Sequence, residues 1–111
     1  MEYTAEEEAL TRIVDAIVRL ANPERIILFG SIARGQAGPE SDVDLLIVMP
    51  EGTHERRTAM KLYEQIRGVG RPFELLVVTP DTLQRYKDNP GLIYKKILRE
   101  GKEVYARGEN R

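Results

Sequence analysis

Apolar residues recur along this chain at two spacings, and each spacing predicts a different kind of element. Near the start they recur every three or four residues, which predicts a helix that ends at Ala21 because Asn22 precedes a proline. Nearly continuous apolar runs at 25–29, 43–49 and 73–78 predict three strands. The second run is apolar at nearly every position, as expected for a strand that helices cover on both faces.

Helical spacing returns after the second and third strands. It predicts one helix over 53–67, a second that begins at Thr79 with Pro80 in its first turn, and a last helix that ends at Gly101. A short strand at 103–105 would then pair at an edge of the sheet.

The order of these elements predicts an α/β (α+β) fold, a small mixed β-sheet with packed helices. A helical crossover between the second and third strands favours their parallel pairing. If the first two strands are antiparallel, the end of the first and the start of the second meet at one edge. Thr4 and Glu7 form a capping box for the first helix. We expect one domain over residues 1–107 and a disordered tail at 108–111.

Composition narrows the classes of protein. The chain has 111 residues, a formal net charge of −1 and no cysteine, so we expect neither a disulfide framework nor a thiolate metal site. Because there is no overall basic field, nucleic acid is not expected as a direct partner. Neither a signal peptide nor an apolar span of membrane length is found, so a cytoplasmic protein without membrane contact is predicted.

The residues between the first two strands carry the candidate chemistry. Gly30 and Ser31 end the first strand, where a glycine permits an anion to approach free backbone N–H groups closely. Asp42 and Asp44 lead into the second strand at alternate positions, so both carboxylates project from one face. Two carboxylates about 6 Å apart repel by roughly 2–3 kcal/mol at an effective dielectric constant near 20. A divalent cation would offset that cost.

Ten residues separate the Gly30-Ser31 pair from Asp42-x-Asp44, and the second aspartate runs into an apolar strand. This pattern resembles the signature of the polymerase-beta-like nucleotidyltransferase superfamily. The surrounding Gly-Ser-Ile-Ala-Arg-Gly sequence looks most like its minimal branch, the small stand-alone nucleotidyltransferases that are often paired with HEPN-domain partners. The resemblance implies the polymerase-beta-like nucleotidyltransferase fold.

The resemblance also implies a role for each site residue. Gly30 and Ser31 would bind the β- and γ-phosphates of ATP, and Asp42 and Asp44 would hold two Mg²⁺ ions, one of them carried by the triphosphate. The family generally has a third carboxylate, an aspartate, on the next strand, and the matching residue here is Glu74. Glu74 would complete the catalytic metal set, or it is a solvated glutamate at a strand edge.

Other polar residues have two interpretations each. Arg34 could bind phosphate as part of the nucleotide site, or it could pair with Glu40 on the surface. His54 is expected to be a solvated surface residue rather than a ligand. A basic side of the last helix is either solvated or a contact for an acidic partner or an RNA tail, and it comprises Lys95, Lys96 and Arg99.

The function that the resemblance implies is Mg²⁺-dependent transfer of AMP from ATP to a protein hydroxyl. In this branch the acceptor is commonly a HEPN toxin, so the chain would be the antitoxin of a HEPN/MNT pair. One alternative is a degenerate module that neutralises its partner by binding alone, with Glu74 marking lost chemistry. A further alternative is a small-molecule nucleotidyltransferase of the antibiotic-modifying kind. The oligomeric state stays open in all of them.

Overall fold

The computed structural model describes residues 5–36, 38 and 41–108. Its helices are α1 (Ala5–Ala21), α2 (Gly30–Ala33), α3 (Glu55–Gln65), α4 (Pro80–Tyr86) and α5 (Ile93–Glu100). Its strands are β1 (Arg25–Phe29), β2 (Val43–Val48), β3 (Phe73–Val78) and β4 (Lys102–Ala106). The fold is therefore a mixed α+β arrangement, as the sequence predicts. No helix within these ranges is both long and apolar enough to cross a membrane.

The strands form one mixed sheet in the order β3-β2-β1-β4. Strand β1 pairs antiparallel with both β2 and β4, whereas β2 and β3 pair parallel. The parallel pairing is confirmed, and so is the edge position of the last strand. In register, Phe29 lies opposite Asp44, and Asp44 lies opposite Glu74. One edge of the sheet therefore brings together the end of β1 and the starts of β2 and β3.

Each face of the sheet carries its own apolar core. Ile17 of α1 and Leu62 of α3 pack with Leu45 on one face, and Leu83 of α4 and Ile97 of α5 pack with Leu46 on the other. Both Leu45 and Leu46 are 0% exposed. This two-sided burial is the reason why β2 reads as a continuous apolar run instead of an alternating one.

Strand alternation decides which face receives the candidate carboxylates. Asp44 lies two residues before Leu46, so its side chain projects toward the face that α4 and α5 cover. Glu74 stands in the same relation to Leu76, which packs against the same core. The alternation of the two strands therefore places the Asp44 and Glu74 carboxylates on the same face of the sheet, at the same edge.

The bounds of α3 differ from the predicted 53–67. His54 lies just before the helix, and its Nδ1 accepts a hydrogen bond of 3.1 Å from the backbone N–H of Arg57, so the helix begins at Glu55. His54 is exposed, as expected, and it acts as the N-cap. At the other end Ile66 has an extended backbone (φ −84°, ψ 118°), which stops the helix at Gln65.

Some predictions fall outside the described residues. Thr4 of the capping box lies there, as does the proposed Arg34 partner Glu40. The tail predicted at 108–111 lies there too, apart from Gly108, which forms a turn after β4.

Candidate active site

Gly30 occupies the turn that follows β1, and its conformation explains why a glycine stands there. Its φ is +78°, in the left-handed region that other residues rarely adopt. A Cβ at this position would overlap Oδ2 of Asp44 and would lie 3.1 Å from its Cγ. Glycine therefore allows the backbone at the end of β1 to approach the Asp44 carboxylate directly. Gly30 is also the first residue of α2, which contains Ser31.

Three carboxylates that the sequence analysis selected lie at the same edge of the sheet. Asp44 is half-buried and faces Glu74 in register, whereas Asp42 is exposed and lies just before β2. Burial raises the pKa of Asp44, and the charges of Glu74 and Asp42 raise it further. Arg34 has the opposite effect on the Asp44 pKa, because its positive charge favours the ionised carboxylate.

The three carboxylates fit a divalent cation by their chemistry. Mg²⁺ prefers carboxylate oxygens, and a cation would relieve the repulsion that helps raise the Asp44 pKa. Within the residues that the structure describes, however, no three His, Cys, Asp or Glu side chains are close enough together to hold a metal ion. Asp42, Asp44 and Glu74 thus share one edge without forming a closed ligand set. Their role as metal ligands stays a prediction.

A cavity of about 250 Å³ lies against this edge. From the sheet side and the α2 turn it is lined by Phe29, Gly30, Arg34, Asp44 and Glu74. From α5 it is lined by Ile93, Lys96, Ile97 and Glu100. Ser31 and Asp42 are not among these lining residues: Ser31 directly follows Gly30, and Asp42 lies two residues before Asp44.

The α5 wall was not predicted from the sequence. Lys96 was predicted to share one basic side of the helix with Lys95 and Arg99, but of these three only Lys96 lines the cavity. The spacing of Ile93, Lys96 and Ile97 is an i, i+3, i+4 stripe, which marks them as one helix face. The stripe was a usable signal, but its position across the cavity from Asp44 and Glu74 depends on how α5 packs on the sheet.

Arg71 was also missed, although it holds the loop that leads to Asp42. Its Nη2 donates a hydrogen bond of 2.6 Å to the backbone oxygen of Gly38. The Gly38 N–H in turn donates to Oγ of Ser41 at 2.9 Å. Since Arg71 lies just before β3, it connects this loop to the strand that carries Glu74. A lone arginine in a Gly-rich segment gave no sequence signal for this contact.

Arg34 lies directly after α2 and is exposed. Its Nε donates a hydrogen bond of 3.2 Å to Oε1 of Gln36. Arg34 also lines the cavity, and its positive charge acts on the Asp44 carboxylate. This placement agrees with a phosphate-binding role, which stays a prediction.

Comparison with known proteins agrees with this geometry. The family model described as "Nucleotidyltransferase domain" matches residues 10–104. Among solved structures, the chain is similar to the crystal structure of a "putative nucleotidyltransferase" from Sulfolobus solfataricus, with a TM-score of 0.61 and 19% sequence identity. That match covers 98% of this chain and 93% of the other, and at this identity it shows the fold. None of the curated proteins matches at a significant level. The family model spans the elements that carry the Gly30 turn, the carboxylates and α5, and the chain belongs to the nucleotidyltransferase domain family.

Proposed function

We propose that this chain is a Mg²⁺-dependent enzyme that transfers AMP from ATP to a hydroxyl group of a partner protein. The observation that carries the proposal is the approach of the Gly30 turn to Asp44, which faces Glu74 in register. A glycine turn that lets the backbone approach paired carboxylates suits a triphosphate together with its metal ions.

The proposed reaction is an in-line displacement at the α-phosphorus of ATP. The acceptor oxygen forms a bond to phosphorus, the bond to the bridging oxygen of pyrophosphate breaks, and pyrophosphate leaves. The hydroxyl proton passes to a carboxylate, for which Glu74 is our candidate. Asp42, Asp44 and Glu74 would hold Mg²⁺, which when bound stabilises negative charge on the attacking and leaving oxygens. Gly30, Ser31 and Arg34 would orient the phosphates.

A protein acceptor is favoured by the size of the cavity. Its volume of about 250 Å³ lies below the roughly 300–1,000 Å³ of pockets that enclose a drug-sized ligand. A cavity of this size leaves little room for an acceptor beside a nucleotide, which favours an acceptor that brings its own docking surface. Correct positioning supplies much of the barrier reduction in such reactions, with effective molarities that can exceed about 10⁵ M.

The partner that we propose is a HEPN-type toxin in the cytoplasm, for which this chain would be the antitoxin. The support is the resemblance of the Gly30–Gly35 sequence to the minimal branch of the superfamily. The proposed contact is the outer side of α5, because Lys95 and Arg99 are exposed there and would steer an acidic partner. Neither of them lines the cavity, so a partner could bind them while the cavity stays accessible.

The second candidate is a module that neutralises its partner by contact alone. Two observations favour it: the described carboxylates do not form a closed metal set, and Glu74 stands where the family generally has aspartate. On this hypothesis the partner is bound and inhibited but never modified.

Intact-mass spectrometry of the partner after incubation with ATP and Mg²⁺ separates the candidates. The enzyme hypothesis predicts a gain of one or more AMP groups with the wild-type chain and none with Asp44→Asn. A partner that is inhibited without any mass change would support the contact-only module. Rapid modification of an aminoglycoside or another small molecule, with no protein partner present, would contradict both and support a small-molecule transferase.

A further inference from the structure

Lys96 and Arg34 are the positively charged side chains that line the candidate active-site cavity. We infer that Lys96 binds the triphosphate of the nucleotide, an inference that rests on the proposed function and gives α5 a part in it. The proposed phosphate site would then have two walls, the turn from Gly30 to Arg34 and one face of α5.

Lys96 lies on the face of α5 that lines the cavity. Ile93, Lys96, Ile97 and Glu100 follow one another at i, i+3, i+4 and i+7, so they share one face, and all four line the cavity. Lys95 is adjacent in sequence but points to a different side, because successive helical residues are about 100° apart. The orientation of Lys96 is therefore a property of the whole helix face.

This face is held firmly against the sheet. Ile97 is 1% exposed and packs with Ile27, Phe29 and Leu46 in the second core. A Cβ on Gly101, the residue after the helix, would come within 2.6 Å of Cγ2 of Ile27, so this backbone and β1 are in close contact. Since Ile97 is the neighbour of Lys96, the base of the lysine side chain cannot move far from the cavity.

Lys96 has no hydrogen bond or ion pair with any residue in the described part of the chain. Asp44, Glu74 and Glu100 line the same cavity, yet Glu100 forms its ion pair with Arg99, at 3.3 Å. Lys96 is exposed, so water satisfies the three donors of its ammonium group in the free protein, and phosphate oxygens can replace that water. The lysine is thus a charged donor that faces the cavity without a partner there.

The charges that line the cavity support a phosphate-binding role for Lys96. Three carboxylates line it against two cations, so a triphosphate would be repelled unless positive charge meets its oxygens. Mg²⁺ at Asp44 and Glu74 would neutralise one side of the nucleotide. Lys96 and Arg34 come from two different elements and would neutralise the phosphates that project away from those carboxylates.

A purely structural role for Lys96 is an i, i+4 pair with Glu100. The lysine precedes the glutamate, which is the less favourable order on a helix, and such exposed pairs contribute little to stability. That role predicts a small change in the unfolding midpoint on substitution and no change in nucleotide affinity. The triphosphate role predicts the reverse.

The test is isothermal titration calorimetry with Mg²⁺ and α,β-methylene-ATP, which cannot release pyrophosphate, and in parallel with AMP. Lys96→Ala should weaken binding of the triphosphate analogue by about 10- to 100-fold, equivalent to about 1.4–2.8 kcal/mol. Its affinity for AMP should be unchanged, because AMP lacks the β- and γ-phosphates. Lys96→Arg should retain most of the affinity, and the matched control Lys95→Ala should change it only slightly.

Several outcomes would overturn the inference. If Lys96→Ala binds the analogue as tightly as the wild type does, Lys96 makes no phosphate contact, while the proposed function stands. Equal losses of affinity for the analogue in Lys95→Ala and Lys96→Ala would mean that the overall positive charge of α5 attracts the triphosphate, without a direct contact from Lys96. Equal losses for the analogue and AMP would exclude a contact that is specific to the triphosphate. If the folded wild type binds no analogue, the proposed function itself is wrong.

Discussion

The contact between the Gly30 backbone and the Asp44 carboxylate can be tested with a single methyl group. Gly30→Ala places a Cβ where Oδ2 of Asp44 lies, at a residue with φ of +78°. Gly35→Ala is the matched control, because Gly35 has φ of +73° but nothing within 4 Å of its Cβ position. Both variants carry the same kind of backbone strain, and only Gly30→Ala displaces the carboxylate.

The expected energies follow from these two features. A left-handed conformation costs an L-residue about 1–2 kcal/mol, so both variants should lose this amount of unfolding free energy. Displacing the Asp44 side chain from its rotamer should add about 0.5–1.5 kcal/mol in Gly30→Ala alone. The effect on AMP transfer should be larger, on the order of 10²-fold, because a misplacement of about 1 Å near reacting groups has that cost.

Urea denaturation measures the first quantity, and the rate of AMP transfer to the partner measures the second. Gly30→Ala should be close to Gly35→Ala in stability and far below it in transfer rate. The double variant Gly30→Ala/Asp44→Ala should recover the additional stability loss, because the overlapping carboxyl group is absent. Transfer rates within a few-fold of each other in the two single variants would refute the reasoning. So would the absence of any coupling in the double variant.

Three further predictions concern substitutions of the carboxylates themselves. Asp44→Asn should abolish transfer yet raise the unfolding free energy of the metal-free protein at neutral pH. Because the pKa of Asp44 is raised in the folded protein, its ionisation destabilises the folded state as pH rises. The higher stability of Asp44→Asn in urea titrations should therefore disappear below pH 3.8, the ordinary pKa of an aspartate. Glu74→Gln should reduce the transfer rate by orders of magnitude without loss of partner binding, whereas Glu74→Asp should retain or raise it; equal rates for wild type and Glu74→Gln would make Glu74 a solvated strand-edge residue. Glu55→Ala should lower the unfolding free energy by about 1–3 kcal/mol, because Oε2 of Glu55 accepts hydrogen bonds from the Thr79 N–H at 2.8 Å and from Oγ1 of Thr82 at 2.7 Å. The control Glu64→Ala, on the exposed side of α3, should change it little. Equal urea midpoints for the two variants would contradict a stabilising role of Glu55.

Much of the fold could be predicted because the signals for its elements are local. A nearly unbroken apolar run predicts β2, and its two cores confirm the two-sided burial that such a run requires. The helix between β2 and β3 predicts their parallel pairing, because parallel strands need a crossover of about that length. The position of β4 at a sheet edge was also predicted, although the strand is longer than 103–105.

The boundaries of α3 show where local signals are insufficient. Apolar spacing continues through Ile66, but that residue leaves the helix and is buried in the core beside the sheet. This packing of Ile66 in the core is a tertiary contact, which the spacing of apolar residues along the chain does not show. The N-cap role of His54 was missed for a related reason: the predicted helix began at residue 53, whereas the structure begins it at Glu55.

Some residues of the candidate site could be identified from the sequence, and others only from the tertiary structure. The types and spacing of Gly30, Ser31, Asp42 and Asp44 were sufficient to identify the motif. Strand alternation accounts for the direction of the Asp44 side chain, whereas Asp42 lies just before β2. The tertiary structure decided that Glu74 faces Asp44 and that Lys96 turns toward them while Lys95 does not. These residues are far apart in the chain, and register and helix packing bring them together. Both depend on how the apolar faces of all the elements fit one another, which no local pattern specifies.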